Sequence, residues 1–223
     1  MKRDDLIDAI WYQTDLDDVD VPVFNAKMFL TEAFDRTASV ERHWPFYETV
    51  WSYVVPADSA SVALDVNTSE ISAIMSEITN QRLSSADHSF AEESFGSRSG
   101  RTSCFSVWGQ QLYVWPRPSV DTTLSVRGWR KPNPAWIEDP ALEVDLDSRL
   151  HLPLLHYAVA MVYAQQEDSE LENQYMRRWA QSIADFKKDI LRPSTYRPVV
   201  LNGGEDQSLY GRSTWSRLNF DNI

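Results

Sequence analysis

The stretch from Leu150 to Leu191 constrains the fold most, because its apolar residues repeat with the period of an α-helix over two consecutive segments. The first segment predicts a helix over residues 153–166. Pro153 lies near its start, where the fixed φ of proline favours the helix. One apolar face carries Leu155, Ala158, Val159 and Val162. Glu167-Asp168-Ser169 then interrupts the pattern, so a second helix is expected to follow.

The second helix is predicted to begin at Ser169, because Ser169 followed by Glu172 matches a capping box. Its apolar stripe consists of Leu171, Tyr175, Trp179, Ile183, Phe186 and Ile190. Arg192-Pro193 ends the helix, since proline cannot continue it. Core packing is the simplest explanation of the stripe. The alternative is that Tyr175 or Trp179 packs against a neighbouring subunit.

Two further helices are predicted before residue 46. A short one has Leu6, Ile7 and Ile10 on one face, and a longer one runs from Pro22 to about Arg42. One face of the longer helix is expected to hold Phe24, Met28, Ala33 or Phe34, Ala38 and Glu41. The acidic segment 15–20 between the helices lacks the glycine and the bidentate Glu of a calcium loop. We therefore interpret it as a solvated linker.

From about residue 49 to 129 the periodicity changes to that of β-strands. Strands are predicted over residues 49–55, 62–66 and 122–129. Residues 71–78 fit a helix face as well, but their neighbours favour a strand. Residues 104–115 predict a hairpin whose Gly109 takes the first position of a type II′ turn. The polar, serine-rich stretch 80–101 predicts a long mobile loop.

Helices on both sides of a β-rich stretch predict an α+β fold. We expect a mostly α-helical bundle with an inserted small antiparallel β domain and an extended C-terminal arm. The predicted divisions are 1–46 for the N-terminal helices of the bundle, 47–134 for the β insertion, 135–191 for the paired helices that complete the bundle, and 192–223 for the arm. The arm has no clean periodicity but many apolar residues, which favours packing on its own domain or insertion into a partner.

Composition limits the classes of function. The formal net charge of −12 argues against binding along nucleic-acid phosphates, which requires clustered Lys and Arg. Cys104 is the single cysteine, so no internal disulfide forms, and its strand setting predicts a buried, inert thiol. No apolar run has the length of a membrane span, and the N-terminus lacks a signal-peptide core. A soluble protein without a membrane partner is expected. Nine tryptophans favour an assembly protein.

No residue pattern predicts a catalytic site, a metal site or a cofactor. His151 and His156 are five residues apart, which does not place them on one helical face. The acidic loop 139–147 has carboxylates for acid–base work but no second element to frame a cleft. One alternative stays open, because the hairpin aromatics could stack bases as an oligonucleotide-binding module does. These aromatics are Phe105, Trp108, Tyr113 and Trp115, and the acidic background counts against them.

Several stretches, taken in order, carry a resemblance to a known family. They are Val107-Trp108-Gly109, Trp115-Pro116-Arg117-Pro118, Thr123 to Pro132, Leu152 to Ala158, Tyr163 to Asp168 and the helix through Tyr175-Met176. In this order the chain resembles the head-to-tail adaptor, or connector, proteins of tailed bacteriophages. It is also similar in outline to the gatekeeper, or tail-tubular-like, proteins of short-tailed phages. The resemblance covers the chain to about Leu191, and the order of the stretches carries it.

The resemblance implies a structural virion protein of the neck, made in the host bacterial cytoplasm, and not an enzyme. It implies a ring, usually of twelve copies, that lies beneath the portal, completes the DNA-filled head and joins it to the tail. The implied partners are the portal protein, tail or neck proteins and further copies of the chain, while DNA passes through the lumen without specific binding. The alternative within assembly is a stopper or tail-completion protein lower in the neck.

Two sets of residues are the candidates for these contacts. The apolar residues of the arm are expected to bind the portal: Tyr196, Val199, Val200, Leu201, Leu209, Tyr210, Trp215, Leu218 and Phe220. The acidic residues between and within the paired helices are expected to face the DNA in the lumen: Glu167, Asp168, Glu170 and Glu172. A merely solvated loop is the alternative for the second set.

Overall fold

A computed structural model describes residues 1–190 of the chain, so the predicted arm and its portal-binding residues lie outside the described part. The helices are α1 (Arg3–Thr14), α2 (Val23–Ser39), α3 (His88–Phe95), α4 (His151–Gln165) and α5 (Ser169–Ile190). Short 3-10 turns cover Pro45–Tyr47, Pro134–Ile137 and Ser148–Leu150. The strands are β1 (Glu48–Val55), β2 (Ser61–Ala63), β3 (Thr68–Ser76), β4 (Gln81–Arg82), β5 (Ser84–Ser85), β6 (Ser99–Gly100), β7 (Cys104–Trp108), β8 (Gln111–Trp115), β9 (Arg117–Pro118) and β10 (Thr122–Arg130). The expected mixed α+β class is confirmed.

Helix α4 lies at the centre of the helical core, and α1, α2 and α5 all pack against it. Its buried residues cover most of the helix circumference: Pro153, Leu154, Leu155, Tyr157, Ala158, Val159, Ala160 and Val162. A helix that is apolar all round is a buried helix. It begins two residues earlier than the predicted start at Pro153. Pro153 still lies in the first turn, where a missing N–H leaves no hydrogen bond unmade.

Helix α5 begins at Ser169 as predicted, but Asp168 caps it: the Leu171 N–H donates to the Asp168 carboxylate over 3.1 Å. The predicted stripe packs on the chain's own core. Ile183 and Phe186 are buried, while Tyr175, Trp179 and Ile190 are half-buried against the helical core.

The structure corrects the predicted buried face of α2. Phe24 and Met28 are 76% and 52% exposed, and the helix ends at Ser39 instead of Arg42. The buried face holds Ala26, Phe29, Leu30, Ala33, Phe34, Thr37 and Ala38. The predicted face was wrong because it joined residues from two sides of the helix. Near the end of the helix, the Trp44 indole N–H donates to the Ala38 carbonyl over 3.0 Å.

Two four-stranded sheets form the β region, with strand orders β1-β10-β3-β4 and β2-β8-β7-β5. Their buried residues meet in one cluster: Val55, Ile74, Leu124 and Val126 from the first sheet, and Phe105, Leu112 and Val114 from the second. The pairing is mostly antiparallel, as expected, with two short parallel exceptions in which β5 pairs with β7 and β6 with β9.

Residues 80–101 hold the largest difference from prediction. The expected loop contains β4, β5, α3 and β6. The extended stretch 81–86 crosses between the sheets: the Leu83 N–H donates to the Ile74 carbonyl over 2.9 Å, and the Ala86 N–H to the Phe105 carbonyl over 2.8 Å. Asp87 then caps α3. The secondary structure of this stretch could not be predicted locally, because the short polar strands are specified by distant partners.

Other predictions for the β region are confirmed. Residues 71–78 fall largely in β3, and the hairpin β7–β8 has the predicted bounds. Gly109 has φ +61°, as the first position of a type II′ turn requires. Cys104 is buried, and burial raises the pKa of its thiol. None of the helices within residues 1–190 is long and apolar enough to cross a membrane.

Candidate functional site

Two helices end in the same unusual way. Helix α1 is followed by Asp15 at φ 54°, and the Leu16 N–H donates to the Trp11 carbonyl over 3.2 Å. Helix α4 is followed by Glu167 at φ 61°, and the Asp168 N–H donates to the Tyr163 carbonyl over 3.0 Å. Both are left-handed helix ends, a position that glycine or asparagine usually occupies. In this protein each carries an acid.

Tyr163 brings the two acidic turns together. Its hydroxyl donates to the Gln13 carbonyl near the end of α1, at 3.5 Å, and its ring stacks on Tyr175 of α5, with ring centres 5.6 Å apart. Burial raises the pKa of Tyr163, and the neighbouring charges of Asp168 and Asp15 raise it further. We call these two acidic turns, residues 15–20 and 167–172, the acidic end. Its residues are Asp15, Asp17, Asp18, Asp20, Glu167, Asp168, Glu170 and Glu172.

At the two left-handed helix ends, Asp15 and Glu167 lower the stability of the chain. An L-residue in the left-handed region costs about 1 kcal/mol or more relative to glycine. A carboxylate at a helix C-terminus also opposes the helix dipole. Across residues 1–190, none of the eight carboxylates forms a salt bridge with a basic side chain. Within the described residues, the charge of these acids is therefore not neutralised by salt bridges.

The structure places all four predicted lumen residues at this end. Glu167 and Glu170 are exposed, while Asp168 and Glu172 are half-buried and Asp168 also caps α5. The acidic surface is short, because Arg177 and Arg178 are exposed on the following turns of α5. The sequence did not predict that the segment 15–20 approaches the same tyrosine, Tyr163, through Asp15. The signal was its density of acids directly after a helix.

A second polar site joins the β region to the segment that precedes α4. Arg130 donates to both carboxylate oxygens of Asp145, at 2.7 and 2.5 Å, and lies over the Tyr47 ring at 4.9 Å. The Asn133 N–H donates to the same carboxylate, and the Tyr47 hydroxyl donates to the Asp145 carbonyl. Hydrogen bonding to Asp145 raises the pKa of Arg130, while burial, reinforced by Asp145, raises the pKa of Tyr47. This carboxylate of the acidic loop therefore has a structural role.

The histidine side chains do not converge on one site. His151 and His156 lie on α4, and burial lowers the pKa of each. His88 is hydrogen-bonded to the Ser106 hydroxyl over 3.0 Å and lies 3.2 Å from the Glu92 carboxylate. Ser106 is buried within a strand. The contacts of His88 hold α3 against the sheet. In the part of the chain that the structure covers, no group of three or more His, Cys, Asp or Glu could hold a metal ion.

The hairpin aromatics do not form one open face. Phe105 is buried between the sheets, and Trp115 is buried with Ala91 and Cys104 in a separate cluster under α3. Tyr113 is half-buried against that cluster, so only Trp108, which is 62% exposed, offers a broadly open ring. Stacking of successive bases needs several open rings along a groove. The geometry therefore weakens the oligonucleotide-binding alternative.

The chain belongs to the SU10 adaptor protein family, whose model matches residues 1–201, and the family consists of phage head-to-tail adaptors. The resemblance seen in the sequence is thereby confirmed. No curated protein matches the chain. Family membership supports a structural connector role in the virion neck, with portal and tail proteins as general partners, and this is not a class of enzyme.

Proposed function

We propose that the chain forms a ring of twelve copies beneath the portal, completes the DNA-filled head and connects it to the tail. The family match over residues 1–201 is the observation that carries this proposal. In the proposed ring, α1, α2, α4 and α5 form the bundle of the wall, and the β region is an insertion that meets tail components or neighbouring copies. Their order along the chain, with the β strands between α2 and α4, supports this arrangement.

The acidic end faces the DNA in this proposal. Its eight carboxylates have no salt-bridge partners within residues 1–190, and two of them occupy helix ends that glycine would stabilise. A surface that repels phosphates lets a duplex slide, whereas a basic surface would hold it. Function at the lumen explains why acids are retained at the two left-handed helix ends, Asp15 and Glu167, at a cost in stability.

The arm, residues 192–223, binds the portal in this proposal. Its sequence supports the assignment through apolar and aromatic residues that suit insertion into a groove on a partner. The residues that make the contact are those named from the sequence, Tyr196 to Leu201 and Leu209 to Phe220.

Mass measurement of the full-length chain, alone and mixed with purified portal, tests the proposal. We expect a ring on the portal, and we expect a chain ending at Leu191 to keep its circular dichroism spectrum but lose portal binding. Equal binding of the shortened chain would refute the arm assignment. A full-length chain indifferent to the portal would instead favour the stopper position lower in the neck.

Charge reversal tests the lumen assignment separately. Glu167→Lys with Glu170→Lys should leave ring formation intact and slow DNA release from filled heads, because the new cations bind phosphates. Glu93→Lys on the exposed face of α3 is the matched control. Identical release from all three proteins would remove the acidic end from the lumen.

A further inference from the structure

One side of helix α2 is uncovered within residues 1–190. Phe24 and Met28 on this side are exposed, and the exposed acids Glu32 and Asp35 continue it towards the end of the helix. Residues three or four apart lie on the same side of a helix, so the four side chains form one surface. We call these four residues the α2 face. Its two apolar side chains, one turn apart, form a patch that a partner would cover.

The acids of the α2 face are open to a partner as well. Neither Glu32 nor Asp35 forms a salt bridge within the described residues. Glu32 accepts a hydrogen bond from the Tyr157 hydroxyl over 3.3 Å. The exposed Arg36 follows Asp35 and lies about 100° further round the helix. Asp35 is therefore the acid that is most available to a cation from outside.

Helix α5 carries a complementary cation. Arg177 is exposed and forms no salt bridge within the part of the chain that the structure covers. Arg178, by contrast, lies over the Tyr175 ring of its own helix at 4.8 Å. An arginine can donate two parallel hydrogen bonds to one carboxylate. Arg177 therefore suits an exposed acid on another surface, and Asp35 is such an acid.

Helices α2 and α5 run in the same direction within one copy. Thr37 of α2 accepts a hydrogen bond from the Trp179 indole N–H of α5 over 3.3 Å. Further along both segments, Lys187 of α5 pairs with Glu41 over 2.9 Å. Because later residues of one segment meet later residues of the other, the two helices are parallel.

Rotational symmetry makes this arrangement informative about a ring. Asp35 and Arg177 each lie two residues before the first of these contacts, which is about 3 Å at the rise of an α-helix. They are therefore at the same level of the bundle. Where α2 and α5 run along the axis of a ring, rotation places Asp35 of one copy level with Arg177 of the next. A ring needs two different faces that fit each other, and α2 and α5 supply such a pair.

We propose that the α2 face of one copy docks on α5 of the next copy, with Asp35 paired to Arg177. The inference rests on the proposed function, because it names the contact by which the copies of the proposed ring meet. The two apolar residues of the α2 face leave water in this contact. Beside the ion pair, Glu32 accepts from the exposed Gln174 amide, which lies one turn before Arg177.

Crosslinking between copies tests the proposal. One full-length chain carries Asp35→Cys, a second carries Arg177→Cys, and the two are assembled together on the portal and treated with a short bismaleimide. The natural Cys104 is buried, so the natural chain is the blank. We expect a covalent dimer in the mixture, and a ladder of higher multiples from one chain with both substitutions. Glu93→Cys on the exposed side of α3 replaces Asp35→Cys in the matched control and should give no dimer with Arg177→Cys.

The outcomes separate this inference from the proposed function. Rings of the natural mass that give no crosslink, or that crosslink equally in the Glu93→Cys control, would overturn the inference and leave the proposed function standing. Dimers from Asp35→Cys alone would also overturn it, because they indicate a two-fold contact. If the natural chain forms no ring on the portal, the proposed function fails and the inference fails with it.

Charge reversal gives a second readout, with circular dichroism as the check on folding. Asp35→Arg and Arg177→Asp should each raise the chain concentration needed for ring formation on the order of fivefold. The double variant should restore the natural value, because the pair is rebuilt with its charges exchanged. Asp8→Arg on the exposed side of α1 is the matched control and should change little. Unchanged assembly in both single variants, or no recovery in the double variant, would overturn the pairing.

Discussion

The helical region and the β region bury their apolar residues in different ways. The helical core is one continuous cluster that joins residues from Leu6 to Phe186 around α4. The β region divides its buried residues between the cluster inside the two sheets and the smaller one under α3. The helical region therefore depends on the volume of its core side chains. The β region depends more on backbone register and on the close approach of its strands.

The largest expected effect is a core truncation in α4. Leu154→Ala removes a side chain that is fully buried at the centre of the helical cluster, and should cost about 3 kcal/mol of unfolding free energy. Leu152→Ala on the same helix, where the side chain is 54% exposed, is the control and should change little. Urea denaturation measures both. Equal losses would mean that α4 is not the centre of the core.

Adding one methyl group to β10 tests how closely the strands of the β region approach one another. Gly128 lies on β10 where its backbone crosses β3, and a Cβ atom there would lie 2.1 Å from the Glu70 carbonyl oxygen. Gly128→Ala must move one strand and should cost about 2 kcal/mol. Ser125→Ala on the same strand is the control, and hydrogen exchange should show the loss first in β3 and β10. Unchanged exchange in these strands would contradict the importance of close strand approach.

Removal of an acid should stabilise the acidic end. Glu167→Gly relieves the left-handed backbone conformation at φ 61° and should raise the unfolding free energy by about 0.5–1 kcal/mol. Glu167→Gln removes the charge but keeps the strained backbone, so its gain should be smaller. Thermal denaturation at low salt separates the two contributions. A loss of stability in both variants would show that the carboxylate makes a stabilising contact.

The smallest effect expected is a dependence on pH. Burial, reinforced by the positive charge of Arg178, lowers the pKa of His156 below its ordinary value of 6.5. The unfolded chain then binds more protons than the folded chain as the pH falls below 6.5, so stability should decline on acidification. His151, whose pKa burial also lowers, contributes in the same direction. Urea midpoints from pH 7.5 to 5.5 should flatten in the double variant His151→Gln, His156→Gln, and an unaltered slope would contradict this origin.

The contrast between the helical region and the β region also decides which elements could be predicted from the sequence. The apolar stripe of α5 and the apolar run of α4 are local patterns, and both helices fall close to their predicted bounds. The hairpin β7–β8 was predictable because Gly109 marks its turn. By contrast, β4, β5 and α3 lie within a polar stretch that folds because of pairing with β3 and β7. Such pairing is a property of residues far apart in the chain, and no local period reports it.

The candidate site was predictable in part for the same reason. The acids of the α4–α5 turn are neighbours in sequence, and the structure keeps them together. Asp15 joins them because Tyr163 reaches the end of α1, a contact across 150 residues. The exposure of Phe24 and Met28 was missed because apolar residues occur on both faces of α2.

The central place of α4 has a consequence for the order of folding during synthesis. Helix α2 ends at Ser39 and α4 begins at His151, so roughly 110 residues separate the two. A ribosome that adds about 5–20 residues per second needs roughly 5–20 s to make the intervening chain. Over that interval the nascent α1 and α2 have no α4 to cover their apolar faces. The β region can therefore pair before the helical core exists, and closure of the core waits until α4 has been made.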